Sequence, residues 1–241
     1  MKTCMIYLLI LLGMFVCANV AFAEELTPKD MLKKIHWFGQ AAVKIEAGKK
    51  IIYIDPYNIE KSDKADIILV THSHQDHLSP DDIAKISDGN TRFIAPKSCM
   101  EPIAKQFNME LLIAKPGLRM ETGGILIEAV PAYNVVKTTF HPKENNWVGY
   151  VLTINGVKIY HAGDTERIPE MKTFTCDIAM LPLGQTYTMN SVQEAADAAL
   201  DLQAKIAIPI HYGMYEGTAE DTQTFANLLK DKIQVVLKEQ E

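Results

Sequence analysis

The sequence predicts an α/β protein in which two β-sheets lie face to face with helices on the outside. Three observations carry that expectation. Short apolar runs of strand length recur along the chain, bounded by turn residues. Helical stretches follow strands in each of two halves, which suggests layers packed about a common core. Polar residues able to do chemistry come directly after apolar runs, as in Thr71-His72-Ser73-His74-Gln75-Asp76-His77 after Ile67-Ile68-Leu69-Val70.

In chain order, the first 23 residues stand outside this pattern. Lys2 supplies a positive start, Met5 to Cys17 an apolar stretch, and Ala21-Phe22-Ala23 a small-x-small cleavage site before Glu24. They read as a signal peptide cleaved after Ala23, so the protein is expected to be exported to a periplasm or the cell exterior. Met5 to Ala23 is also long enough to span a bilayer if left uncleaved, the one membrane association the sequence suggests. Residues 24–241 then read as a single domain.

Within that domain, Lys34 to Glu46 and Lys50 to Asp55 resemble a hairpin turning through Ala47-Gly48-Lys49. Asp66 to Thr71 is the next strand, ending at the histidine run. Ser79-Pro80-Asp81-Asp82 starts a helix near Pro80–Ile86, with a capping hydroxyl, proline in the first turn and acids near the positive helix end. A strand at Arg92–Ala95 and a helix near Cys99–Phe107 complete the first half. In the second, Ile125 to Ala132 and Val148 to Ile154 are strands, and Asn155-Gly156 turns the latter into Val157–Tyr160. Ile178–Leu183 is another strand. Ser191 to Leu202 is an amphipathic helix, capped by Ser191 with Glu194 three residues on. Ile206–Ile210 is a strand and Glu220–Lys232 a closing helix.

Loss of the leader leaves 218 residues, enough for one sizeable core, and removes one charge, Lys2, moving the formal net charge from −6 to −7. An acidic chain lacks the electrostatic footprint of a nucleic-acid binder. Cys99 and Cys176 remain; they can form one disulfide but are read as ordinary buried thiols. Nothing in the sequence specifies an oligomeric state.

Three imidazoles and a carboxylate within six residues point to metal binding. In an extended segment His72 and His74 project to one side and can reach one ion, while Asp76 and His77 follow the bend and can face a second. Imidazole with carboxylate suits zinc, manganese or iron. Asp164 and His211 also follow strands, where strand ends of α/β layers converge. Asp164 in Gly163-Asp164-Thr165 reads as a carboxylate bridging two metals, with an Asx-type turn as the alternative. His211 reads as a ligand, with a core histidine as the alternative. His161 is expected to orient a ligand by a hydrogen bond. His36 is expected to be structural.

Taken in order, His72-Ser73-His74-Gln75-Asp76-His77, His161-Ala162-Gly163-Asp164-Thr165 and Ile208-Pro209-Ile210-His211-Tyr212-Gly213 resemble the metallo-β-lactamase superfamily over nearly the whole mature chain. The branch most resembled holds L-ascorbate-6-phosphate lactonase and N-acyl-phosphatidylethanolamine phospholipase D. The resemblance implies a four-layer αβ/βα sandwich of two mixed sheets. It also implies one metal on His72 and His74, a second on Asp76, His77 and His211, Asp164 bridging, and Asp55 in support. Asn134 stands where the family carries a further histidine, and His141, seven residues on, is expected to swing back and fill the gap.

The expectation is therefore a metal-dependent hydrolase holding one or two divalent ions, zinc ahead of manganese or iron. Water on the cations would fall in pKa from about 15.7 towards about 7 and attack an ester, lactone or phosphodiester as hydroxide. Asp76 or Asp164 would take the proton as the intermediate collapses. The partner is a small molecule, and Lys137, His141 and Lys143 read as a loop that faces an anionic group, with solvated surface lysines as the commoner alternative. Tyr187, Tyr212 and Tyr215 are candidate pocket walls, with packing at the sheet edge as the alternative. Two rival readings are an iron-dependent redox enzyme of the same fold and a metal-binding protein without catalysis.

Overall fold

The computed structural model describes residues 26–60 and 62–241. The expected leader and the expected cleavage site lie outside the described residues. Among the described residues no helix is long and apolar enough to cross a membrane.

Period-two partition of side chains builds the layers. In β4 (Ile67–Leu69), Ile67 and Leu69 enter a central core while Ile68 enters an outer one. In β11 (Ile178–Pro182), Ile178 and Met180 face the same central core while Ala179 and Leu181 face another outer one. Strands apolar on both faces are what a sheet covered on both sides requires. Each isoleucine or leucine so buried contributes roughly 1.5–3 kcal/mol.

The first sheet runs β1-β2-β3-β4-β5-β6. It takes β1 (Ile35–Trp37), β2 (Val43–Ala47) and β3 (Lys50–Ile54) antiparallel, then β4, β5 (Arg92–Ala95) and β6 (Glu110–Ile113) parallel. The second runs β13-β12-β11-β10-β9-β8-β7. Its β7 (Arg119–Thr122), β8 (Ile125–Pro131), β9 (Val148–Ile154) and β10 (Val157–His161) are antiparallel neighbours. Parallel pairings then carry it through β11, β12 (Ile206–Ile210) and β13 (Gln234–Val235). Short α1 (Pro28–Leu32) precedes the first strand. Helices α2 (Pro80–Ile86) and α3 (Met100–Gln106) contribute Ile83, Ile86 and Ile103 to the core outside the first sheet. Helices α4 (Val192–Asp201) and α5 (Ala219–Leu229) contribute Ala195, Ala199, Phe225 and Leu229 to the core outside the second. Two mixed sheets flanked by helices thus form the four expected layers.

The sheets are stitched as well as packed. The buried Tyr150 hydroxyl donates to the Val70 carbonyl at 2.9 Å, and the His211 N–H donates to the Gln40 carbonyl at 2.7 Å. One expectation is corrected: Lys34 to Glu46 is not a single strand. It breaks between β1 and β2, where Gly39 and Gln40 both take positive φ, +96° and +47°. Cys99 and Cys176 are both buried and free, in different outer cores.

Candidate metal centre

Five loops at the C-terminal ends of β3, β4, β8, β10 and β12 bring the candidate residues to one edge between the sheets, the place where strand ends of such folds converge. His72, His74, His141 and Asp164 each offer a ligand atom within 4.8 Å of the others, and Asp76, His77 and His211 form a second such group. Asp164 joins them. Its Oδ1 lies 3.2 Å from His77 Nε2 and 3.2 Å from His211 Nε2. Its Oδ2 lies 3.2 Å from His141 Nε2 and 3.8 Å from His72 Nε2.

These spacings fit a divalent ion. Ligands about 2.0–2.1 Å from a tetrahedral zinc stand about 3.3 Å apart, close to the 3.2 Å separations above and to the 3.0 Å between His72 Nε2 and His74 Nδ1. His77 Nε2, His141 Nε2 and Asp164 Oδ1 are buried without a hydrogen-bond partner. Orphaned buried polar atoms are costly, and three gathered about the Asp164 carboxylate are those of a site meant to hold something.

On His77, His72, His141 and His211 the other ring nitrogen faces a supporting group, which turns the free one inward. His77 Nδ1 donates to Asp55 Oδ2 at 2.7 Å. The Thr71 hydroxyl donates to the same oxygen at 2.7 Å and lies 3.0 Å from His72 Nδ1, so it accepts from that ring. His141 Nδ1 donates to the Tyr187 carbonyl at 3.1 Å. His211 Nδ1 stands 3.0 Å from Glu216 Oε1. Asp55 and His211 hold these positions in the left-handed region, φ +48° and +56°. That conformation costs roughly 1 kcal/mol or more each and is typical of functional sites. Gly163 must be glycine: it has φ +63°, and a Cβ there would come within 2.9 Å of the Thr71 side chain.

Burial is the largest influence on His72, His74, His77 and His211 and pushes each towards neutrality. For His72 burial prevails, helped by neighbouring His77, and its pKa sits well below the ordinary histidine value. His74 is lowered by burial and by His141. For His77 burial is outweighed by Asp164 and Asp55, and for His211 by Asp164, Asp76 and Glu216; both pKa values rise. Burial would raise Asp164, but His211 and His77 hold it well below the carboxylate range. Asp76 is held down against burial by His211 and His77. So many carboxylates around one buried point need cations or protonated imidazoles beside them.

Several expected residues are placed differently. Asn134 supports the cluster without joining it: its Nδ2 donates to the Tyr187 and Lys137 carbonyls, at 2.7 and 3.2 Å, lies 3.3 Å from His141 Nδ1, and braces the loop that delivers His141. His161 touches backbone only, donating to the Ala41 carbonyl at 2.8 Å and accepting from the Gly163 N–H at 3.2 Å. It therefore shapes the turn before Asp164 and orients no ligand ring. Of the expected anion-facing loop, His141 lines the cavity and the two lysines do not. Lys137 Nζ donates to the Gln185 and Met189 carbonyls, and Lys143 Nζ is tied to Glu170 and the Tyr133 hydroxyl. Tyr212 stacks on Trp37 with ring centroids 5.1 Å apart, while Tyr187 and Tyr215 line the cavity over the centre.

Sequence reasoning missed four supports. Gln40 Nε2 donates to Asp76 Oδ2 at 2.9 Å. Trp147 packs its indole on His72 and His74, centroids 4.8 and 4.9 Å away. Glu166 accepts three consecutive backbone N–H groups, from Val135, Val136 and Lys137, and so pins the His141 loop. Glu216 is buried behind His211 and accepts from the Thr186 and Tyr187 N–H groups and the Thr188 hydroxyl. Any Cβ at Gly184 would overlap its carboxylate, at 1.7 Å, so the glycine there makes room for the acid.

Comparison with known proteins agrees with this geometry. Residues 34–211 match the family model described as a beta-lactamase superfamily domain. A metal-dependent hydrolase of Pyrococcus abyssi is 33% identical over 219 residues, spanning 85% of this chain and 95% of its own length. A crystal structure described as that of a metal-dependent hydrolase from Parabacteroides distasonis superposes with a TM-score of 0.77 at 35% identity, covering 86% of this chain and 93% of that one. A diiron β-hydroxylase from Streptomyces venezuelae, 12% identical with a TM-score of 0.69, shares the fold over 85% of this chain and 52% of its own.

Proposed function

The chain belongs to the beta-lactamase superfamily and is a metal-dependent hydrolase; from that premise we propose that it is exported, holds two divalent ions, and cleaves an ester, lactone or phosphodiester bond in a small molecule. The observation that carries this reading is Asp164, one carboxylate whose two oxygens face two separate donor groups. His72, His74 and His141 would hold one ion, Asp76, His77 and His211 the other, with Asp164 shared. Zinc suits the imidazole-rich set best, with manganese or iron as alternatives.

Ions there would polarise the oxygen of the scissile bond and lower the pKa of the attacking water. The chain's own groups do the rest. Asp76 lines the cavity and is more exposed than Asp164, 20% against 4%. Asp76, steadied by Gln40 at its Oδ2, is the carboxylate we assign to receive the proton as the bond breaks. Asp55, Thr71 and Glu216 hold the rings so that only one nitrogen of each faces inward. A cavity of about 340 Å³ above the centre takes a small substrate.

The test is metal content by mass spectrometry on protein purified without added metal, then a panel of esters, lactones and bis-p-nitrophenyl phosphate with zinc or manganese supplied. We expect two ions per chain and turnover that His74→Ala and Asp164→Ala abolish in folded protein. A coloured iron protein oxidising its substrate, or a metal-loaded protein silent across the panel, overturns hydrolysis. Export is tested separately, by an intact mass beginning at Glu24 for protein recovered outside the cytoplasm.

A further inference from the structure

We propose that the part of the substrate flanking the scissile bond is apolar and uncharged, and that Phe140, Tyr187 and Tyr215 select it; this rests on the hydrolase reading above. Histidines and aspartates form the floor of the cavity, and these three aromatic side chains its walls. All three are unusually open for large apolar groups, at 40, 37 and 53% exposure. They are nevertheless held in place. Phe140 and Tyr187 meet edge to face with centroids 4.9 Å apart, a favourable arrangement for aromatic rings. The Tyr215 hydroxyl lies 2.7 Å from that of Tyr57, which ties the loop after β12 to the loop after β3. Exposed apolar surface that is braced and concave, beside a reactive centre, is surface a ligand covers.

Charge points the same way. Among the described residues no lysine or arginine lines the cavity. The cations nearest along the chain, Lys137 and Lys143, are committed to carbonyls and to Glu170. Away from the ions, an anionic tail between these walls would meet no positive side chain among the described residues. A neutral aryl or short alkyl group would lose its hydration and cover the three rings at once.

The experiment is the dependence of kcat/KM on the acyl group, measured with metal-loaded mature protein on p-nitrophenyl acetate, butyrate and hexanoate and on the p-nitrophenyl ester of succinate, whose free carboxylate makes it anionic. We expect kcat/KM to rise about tenfold or more from acetate to hexanoate, and to fall at least tenfold from butyrate to the anionic ester of similar length. Phe140→Ala and Tyr215→Ala should flatten the chain-length slope, whereas Tyr215→Phe, which keeps the ring, should preserve it. A flat wild-type slope, a preference for the anionic ester, or a slope unchanged in both alanine variants overturns the proposal and leaves hydrolysis standing. If no substrate of any kind is turned over with metal bound, the hydrolase reading fails and takes this one with it. Should an alanine variant fail to fold, the wild-type slope decides.

Discussion

The two donor groups of the centre use the same residue types but are backed by different chemistry. Behind His77 and His211 stand carboxylates, Asp55 at 2.7 Å and Glu216 at 3.0 Å. Behind His72 and His141 stand a hydroxyl and a peptide carbonyl. A carboxylate behind an imidazole makes it a stronger donor and adds negative charge near the ion, whereas a neutral partner only orients the ring. The mounting differs too. His211 directly follows β12 and hydrogen-bonds by its N–H to the opposite sheet, whereas His141 rides a loop that Glu166 and Asn134 must pin. The lesson is that equal ligand counts do not make equal sites. The group of Asp76, His77 and His211 is expected to fill first and release its ion last.

The largest effect should come from the residue common to both groups. Asp164→Ala is expected to lower hydrolysis on the order of a thousandfold and to reduce bound metal at both positions, as judged by kcat/KM and metal content. Loss of one ion only would break the symmetry claimed for Asp164. Next is the supporting acid. Glu216→Gln should weaken the tighter ion by roughly 10–100-fold, read by competition with a chelating dye, while Asn134→Ala weakens only the looser one. Equal losses at both ions in either variant would contradict the comparison. Gly184→Ala attacks Glu216 through packing. Crowding of that kind costs roughly 1–3 kcal/mol, measured by urea denaturation, and the cost should be greater in metal-loaded than in metal-free protein because the acid it displaces supports an ion.

What could be read in the sequence follows the same division. His72, His74, Asp76 and His77 were legible because they crowd one strand end, and Asp164 and His211 because each follows an apolar run. His141 was legible only through the family pattern, since a histidine in a polar loop looks solvated until the fold returns it. Glu216 and Glu166 were not legible. An acid between Tyr215 and Gly217, or after Thr165, resembles any solvated loop acid, and what distinguishes them is burial against distant backbone N–H groups. Gln40 was hidden by reading one long strand where the chain turns. The layers were predictable from apolar runs such as Ile178–Leu183. Strands β6 and β7 were missed because edge strands with half-exposed faces carry little apolar pattern, and β13 because two residues carry none.

The smallest expected effect supplies the control for the comparison. Asp82 lies five residues past His77 and outside both donor groups. Its carboxylate accepts from the Asn58 and Ile59 N–H groups at 2.9 and 3.0 Å, from the Ser79 hydroxyl at 2.7 Å and from Lys85 at 2.8 Å. Burial alone would raise its pKa, but Lys85, Ser79 and the two N–H groups outweigh it and hold the pKa below the ordinary aspartate value. A folded pKa below the unfolded one means that stabilisation is present above the unfolded value, about 3.9, and is lost as pH falls through the lower folded value. Thermal midpoints should therefore drop by a few degrees on acidification, and Asp82→Asn should remove that share of the drop. The share should be the same with metal bound or stripped, because Asp82 touches no donor. If it changes on metal loading, the α2 cap is coupled to the centre, and the contrast between the two donor groups would need redrawing to include the helix that follows them.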